Sequence, residues 1–124
     1  MKEYPRKLRI NAQLQSELAA LIRDDLSDPR VAGVTVTAVD VSPDLRNARV
    51  SVSVLGDDAT LAAAVDGLKQ AAGRLRSALG KRLRLRSIPS LHFAPDLQLR
   101  EADRVAGLIR DARRRDIERG GSAD

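Results

Sequence analysis

Seven cations, Lys69, Arg74, Arg76, Lys81, Arg82, Arg84 and Arg86, follow one another in a stretch with no Asp or Glu from Gly67 to Pro95. The chemistry open to such a row is anion binding. Like charges on ordered structure repel one another unless an anion lies against them, and a nucleic-acid backbone is an anion of the right shape. A solvated helix face is the competing reading. Ala78-Leu79-Gly80 interrupts the row. Glycine weakens a helix by about 1 kcal/mol relative to alanine, so Gly80 can turn the chain and aim fresh backbone amides at a phosphate; an ordinary helix end with no ligand is the alternative. Arg6, Lys7 and Arg9 form a second cluster ahead of the first helix, where they either grip RNA or solubilise a frayed end. Arg113, Arg114 and Arg115 stand among Asp111, Asp116 and Glu118, so local pairing competes with RNA contact there.

Other chemistries find little support. There is no cysteine, hence no thiol nucleophile, no disulfide framework and no Cys-rich zinc site. His92 is the single histidine and lies in a strand-like run, without a second His or a Cys to complete a triad. Asp24, Asp25 and Asp28 cluster at a helix end, where a solvated loop is expected before a divalent-cation site. No phosphate-binding glycine fingerprint is present. A non-enzyme without metal or cofactor is therefore expected. Tyr4 and Phe93 are the only aromatics, so an array of rings stacking successive bases is not available, and contacts should run to phosphate, sugar and shape.

The chain has 124 residues, room for one core, with 43% hydrophobic and 31% charged residues, the balance of a folded domain and not of a disordered tail. Its formal charge of +5 is modest, yet the pI near 10.4 leaves nucleic acid and anionic surfaces both open as partners. No apolar run approaches the roughly 18 residues a membrane span needs, and the basic start lacks a following apolar segment, so a cytoplasmic protein is expected.

These cations need elements to hold them. Ile10, Leu14, Leu18, Leu21, Ile22 and Leu26 recur at helical spacing, and Pro29 should close that helix. Val34 to Ser42 suits a strand, with a phase slip between Val36 and Val39 that predicts a bulge or burial on both faces. Ser42 to Asn47 has turn chemistry, and Ala48, Val50, Val52 and Val54 alternate as a half-buried second strand. Asp58 or Thr60 should cap the next helix, whose stripe runs from Leu61 to Leu79 and leaves Lys69, Arg74 and Arg76 largely off the core. A short helix from Lys81 to Arg86, a third strand from Leu91 to Ala94 and a last helix around Val105, Leu108 and Ile109 follow. The order is α+β, and three strands covered by helices on one face would make a two-layer sandwich. Residues 1–110 read as one domain, with 111–124 as a basic, flexible tail.

Several segments carry a resemblance: Asp28-Pro29-Arg30-Val31, Val34-Thr35-Val36-Thr37, Val39-Asp40-Val41-Ser42-Pro43-Asp44-Leu45 with Ala48-Arg49-Val50, then Leu79-Gly80-Lys81, Leu83-Arg84-Leu85-Arg86, Pro89 and Leu91-His92-Phe93. Together they resemble ribosome-binding factor A, a family of bacterial small-subunit assembly factors, over residues 5 to 110. The resemblance implies a type II KH-like fold of order α-β-β-α-α-β, in which an Ala-x-Gly kink, here Ala78-Leu79-Gly80, replaces the Gly-x-x-Gly loop; no Gly-x-x-Gly occurs in this chain. It also implies a monomeric, non-catalytic factor that binds the small ribosomal subunit and its ribosomal RNA during late maturation. After Phe93 the match weakens, for Gln98 and Ala102 stand where the family often has Ser and Gly. A basic adaptor for an acidic protein surface and a DNA-binding KH-like module are the alternatives.

Overall fold

A computed structural model of the protein describes residues 3–120. The first helix, α1, spans Glu3–Asp25 and thus begins earlier than its apolar stripe. Pro5 permits this because a proline in the first turn lacks only an N–H that has no helical partner anyway. Arg6, Lys7 and Arg9 therefore lie within α1 and not ahead of it. After Asp25 the chain makes a 3-10 turn, Pro29–Val31, whose first free amide, that of Arg30, is held by the Asp28 carboxylate at 2.9 Å.

Strand β1, Thr35–Val41, carries the bulge that the phase slip foretold: its register against the next strand shifts between Val36 and Ala38. Val36 and Val39 can then both enter the core, while the Thr37 hydroxyl reaches across to the Ser51 carbonyl at 3.2 Å and to Asp96 at 2.6 Å. The hairpin to β2, Asn47–Ser53, is tied by its own side chains. Asp44 accepts from the Ser42 hydroxyl at 2.6 Å and from the Arg46 amide at 3.1 Å. These bonds hold Leu45 at φ 61, a left-handed conformation that is unfavourable for a branched side chain.

Helix α2, Asp58–Arg82, is capped by Asp57, not by Asp58 or Thr60; Thr60 is instead the donor, with its amide 2.8 Å and its hydroxyl 2.7 Å from the Asp57 carboxylate. The helix returns the chain to β3, Ser90–Pro95, which pairs parallel to β2. The sheet order is β1-β2-β3. Ala48, Val50 and Val52 face α1 and α2 and are fully buried, with Leu14, Leu18, Leu21, Leu68 and Leu79 packed above them. The opposite sheet face is open and displays Asn47, Arg49 and His92.

Two expectations fail at the ends of α2 and β3. The helix passes through Ala78-Leu79-Gly80 without losing its hydrogen bonds and stops at Arg82, so the short helix over Lys81 to Arg86 does not form. The observed order is α-β-β-α-β-α. After β3, α3 spans Leu97–Gly120 and crosses the 110/111 boundary as one helix. Residues 121–124 of the expected tail lie outside the described residues.

Candidate nucleic-acid interface

The α2 stripe built from Leu61, Ala64, Val65, Leu68, Leu75 and Leu79 is buried, and this forces the cations of the same helix outward. At 3.6 residues per turn, Lys69 and Arg76 fall on one line, and Arg74 and Lys81 on another about 120–140° away, so the two pairs flank opposite sides of the buried stripe. All of them are exposed. Exposure does not make them equivalent. Arg76 donates from Nε at 3.0 Å and from Nη2 at 2.8 Å to the Ile88 carbonyl, and so fastens the segment that leads into β3. Arg74 reaches the Asp25 carbonyl at 3.3 Å, where a cation meets the negative end of α1. Arg82 pairs with Glu17 of α1 at 3.3 Å. The absence of acids from Gly67 to Pro95 thus holds along the chain but not in space.

Among the described residues, no ion pair engages Lys69, Lys81, Arg84 or Arg86. Beyond Arg82 the helix gives way to irregular backbone, extended at Leu83 and bent at Arg86-Ser87, and Leu83 and Leu85 are half-buried while Arg84 and Arg86 are exposed. Alternation of burial, not helical spacing, leaves Arg84 and Arg86 exposed. Leu-Arg-Leu-Arg is a period-2 pattern, a signal in the sequence that the helical reading of this segment passed over.

Gly80 adds little strain relief or space. A Cβ there would meet only Ile88 Cγ1 at 3.6 Å, ordinary contact, so the position tolerates a side chain. Gly67 is the tight glycine of α2: a Cβ would stand 3.0 Å from Val31 Cγ1 and 3.1 Å from Asp28 Oδ2. The 3-10 turn packs onto α2 at this point, fixed by Arg30, which donates to Asp28 at 2.7 Å and to Gln70 at 2.9 Å. The Arg30 guanidinium in turn holds the Asp28 carboxyl below its ordinary pKa.

The other predicted cations are spread over the molecule. Lys7 binds Asp40 of β1 at 3.0 Å, a joint between α1 and the sheet. Arg6 and Arg9 are exposed on the same helix. On α3, Arg114 stands 3.9 Å from Asp111, one turn away, in the local pairing weighed for that triplet. Arg49 was missed by the search for an acid-free row, because β2 sits outside it. Its outward phase in the β2 alternation was the available signal. In register it lies between Asp40 of β1 and His92 of β3, and His92 Nε2 is 2.8 Å from Asn47 Oδ1. Among the described residues no cluster of three or more His, Cys, Asp or Glu forms a possible metal site, and no helix is long and apolar enough to cross a membrane.

The family model for ribosome-binding factor A matches residues 6–109. Ribosome-binding factor A of Alkalilimnicola ehrlichii is 48% identical over 112 residues, 90% of this chain and 86% of the relative. The crystal structure of ribosome-binding factor A from Thermus thermophilus is similar at a TM-score of 0.66 and 37% identity, covering 72% of this chain and 93% of that one. A homology model of the Thermus thermophilus factor, fitted into the cryo-electron-microscopy map of its complex with the 30S subunit, is similar at a TM-score of 0.55 and 39% identity, covering 68% and 88% of the two chains.

Proposed function

Since the chain belongs to the ribosome-binding factor A family, we propose that it binds the small ribosomal subunit by gripping phosphates of the ribosomal RNA, and that it supports late maturation and processing of that RNA without catalysis. The observation that carries this reading is the set of exposed cations at the C-terminal end of α2 and just beyond it, where Lys81, Arg84 and Arg86 have no acidic partner among the described residues. Lys69 extends the set along the helix. Arg76 supports it in a different way: its two bonds to the Ile88 carbonyl fix the segment that leads into β3, whereas Arg74 and Arg82 are each held by a single contact at 3.3 Å. Arg6 and Arg9 would extend the contact onto α1.

In this reading the first five elements form a type II KH-like unit. Helix α2 runs unbroken through Ala78-Leu79-Gly80 to Arg82, and these residues mark where a phosphate approaches. The related 30S complex supports the choice of the small subunit over duplex DNA. A competition co-sedimentation assay tests it: assembled small subunits and small-subunit RNA should displace one another from the protein, whereas duplex DNA and an acidic protein at equal charge should not. Equal displacement by duplex DNA would overturn the assignment in favour of a general anion binder.

A further inference from the structure

The cations of α2 do not all look outward in the same direction. Arg74, Ser77, Ala78 and Lys81 are spaced i, i+3, i+4 and i+7 and line one stripe of the helix. This stripe forms one wall of a groove of about 380 Å³ against α1, where Leu21 and Asp25 supply the other wall and Arg82 the end. Arg74 and Lys81 are two turns apart, about 10 Å along the axis. Between them the floor is made of a hydroxyl and a methyl group, small enough for an anion to approach the helix closely.

Besides Asp25 in the wall, a second acidic group stands beside the groove, on its Arg82. Glu17 Oε1 sits 3.3 Å from Arg82 Nη1, and the two side chains are 34% and 41% exposed. The contact is long and single, where charge-assisted pairs usually close to about 2.7–2.9 Å and an arginine offers five donors in a fork suited to two oxygens. It is the contact of a replaceable partner. Arg74 is also lightly held, by one bond to a carbonyl at 3.3 Å.

We propose that this groove between α1 and α2 receives one backbone phosphate of the ribosomal RNA, and that Glu17 occupies Arg82 until the phosphate displaces it. The inference rests on the RNA-binding reading above and deepens it by naming the residue that competes with the ligand. Arg82 and Lys81 then take the phosphate oxygens from one end and Arg74 from the other. Glu17, left without its partner, turns to water. The Asp25 carboxylate stays on the rim and sets how much negative charge the groove admits.

The test is a salt series of small-subunit binding with wild-type protein, Glu17→Gln, Glu17→Gln in an Arg82→Gln background, and Glu101→Gln as a change of equal charge on α3. Glu17→Gln should melt with the wild type and bind about 2- to 5-fold more tightly, the factor expected on removing an exposed ion pair that competes with the ligand. Glu101→Gln should bind as the wild type does. In the Arg82→Gln background the Glu17 change should have no effect. Wild-type affinity for Glu17→Gln, an equal gain for Glu101→Gln, or a gain that survives loss of Arg82 would each overturn the proposal while leaving the RNA reading intact. Salt-independent binding by the wild type would overturn both.

Discussion

Helices α2 and α3 are nearly equal in length, 25 and 24 residues, and both carry an apolar stripe, yet only one belongs to the core. α2 connects two strands of one sheet, so its path must cross the sheet and press its stripe onto β3. α3 follows β3, and among the described residues no further strand calls it back. Its side chains Val105, Leu108 and Ile109 remain 42%, 55% and 53% exposed. Among the described residues its hydrogen bonds and ion pairs to the rest of the fold lie at its base, through Asp96 and through Arg100, which reaches Asp58 at 2.9 Å. The cations of the two helices differ in the same sense. Arg74, Arg76 and Arg82 of α2 reach partners on other elements, whereas beyond Arg100 the α3 cations Arg104 and Arg114 pair one turn away with Glu101 and Asp111. Amphipathicity makes a helix; connectivity decides whether it becomes scaffold.

The largest expected contrast is between apolar deletions in the two stripes. Leu68→Ala, at a fully buried position, should cost about 2–5 kcal/mol. Leu108→Ala should stay within about 0.5 kcal/mol, as exposed substitutions do. Denaturant titration measures both, and a comparable loss at Leu108 would mean that α3 is packed after all.

Within α2 itself the glycines sharpen the comparison. Gly67→Ala pushes a methyl against Val31 and Asp28 and should cost about 1–3 kcal/mol by overpacking. Gly80→Ala meets only ordinary contact, so thermal melting should show a gain approaching 1 kcal/mol from helix propensity. Destabilisation at Gly80 would show that the backbone there depends on glycine.

A smaller and local effect is expected at the base of α3. The Thr37 hydroxyl donates to Asp96 at 2.6 Å and the Leu99 amide at 2.9 Å, and these bonds hold the Asp96 carboxyl below its ordinary value of 3.8. A carboxyl with a lowered folded-state pKa contributes its stabilisation above the unfolded value, and loses it as pH falls through the folded one. Protection of the Leu99 amide, relative to its intrinsic exchange rate, should therefore fall below about pH 4, and Asp96→Ala should show the low protection already at neutral pH, with α2 unchanged. Protection lost equally in both helices would contradict their independence.

Particular residues explain what could be foreseen. The Val36 and Val39 slip foretold the bulge because burial alternation is local. The stripe of α2 was equally plain. The end of that helix was not, since Lys81 to Arg86 has good helix formers and only its Leu-Arg alternation argued for extension. Ion pairing was the least legible of all. Glu17 and Arg82 are far apart along the chain, and a window around the basic row cannot see an acid that folding brings from α1. The same blindness hid the carbonyl partners of Arg74 and Arg76, so a row that read as uniform divides into fastened and free cations.

That division is the central claim, and the salt dependence of small-subunit binding tests it most directly. The wild type should give a slope of log affinity against log salt of roughly −3 to −6, for four to seven phosphates at about 0.7 to 0.9 each. Combining Lys81→Gln, Arg84→Gln and Arg86→Gln should flatten the slope by about 2 to 3 with unchanged melting, whereas Arg76→Gln should lower the melting temperature and leave the slope in place. An unchanged slope in the triple variant, or a slope lost with Arg76 alone, would contradict the account.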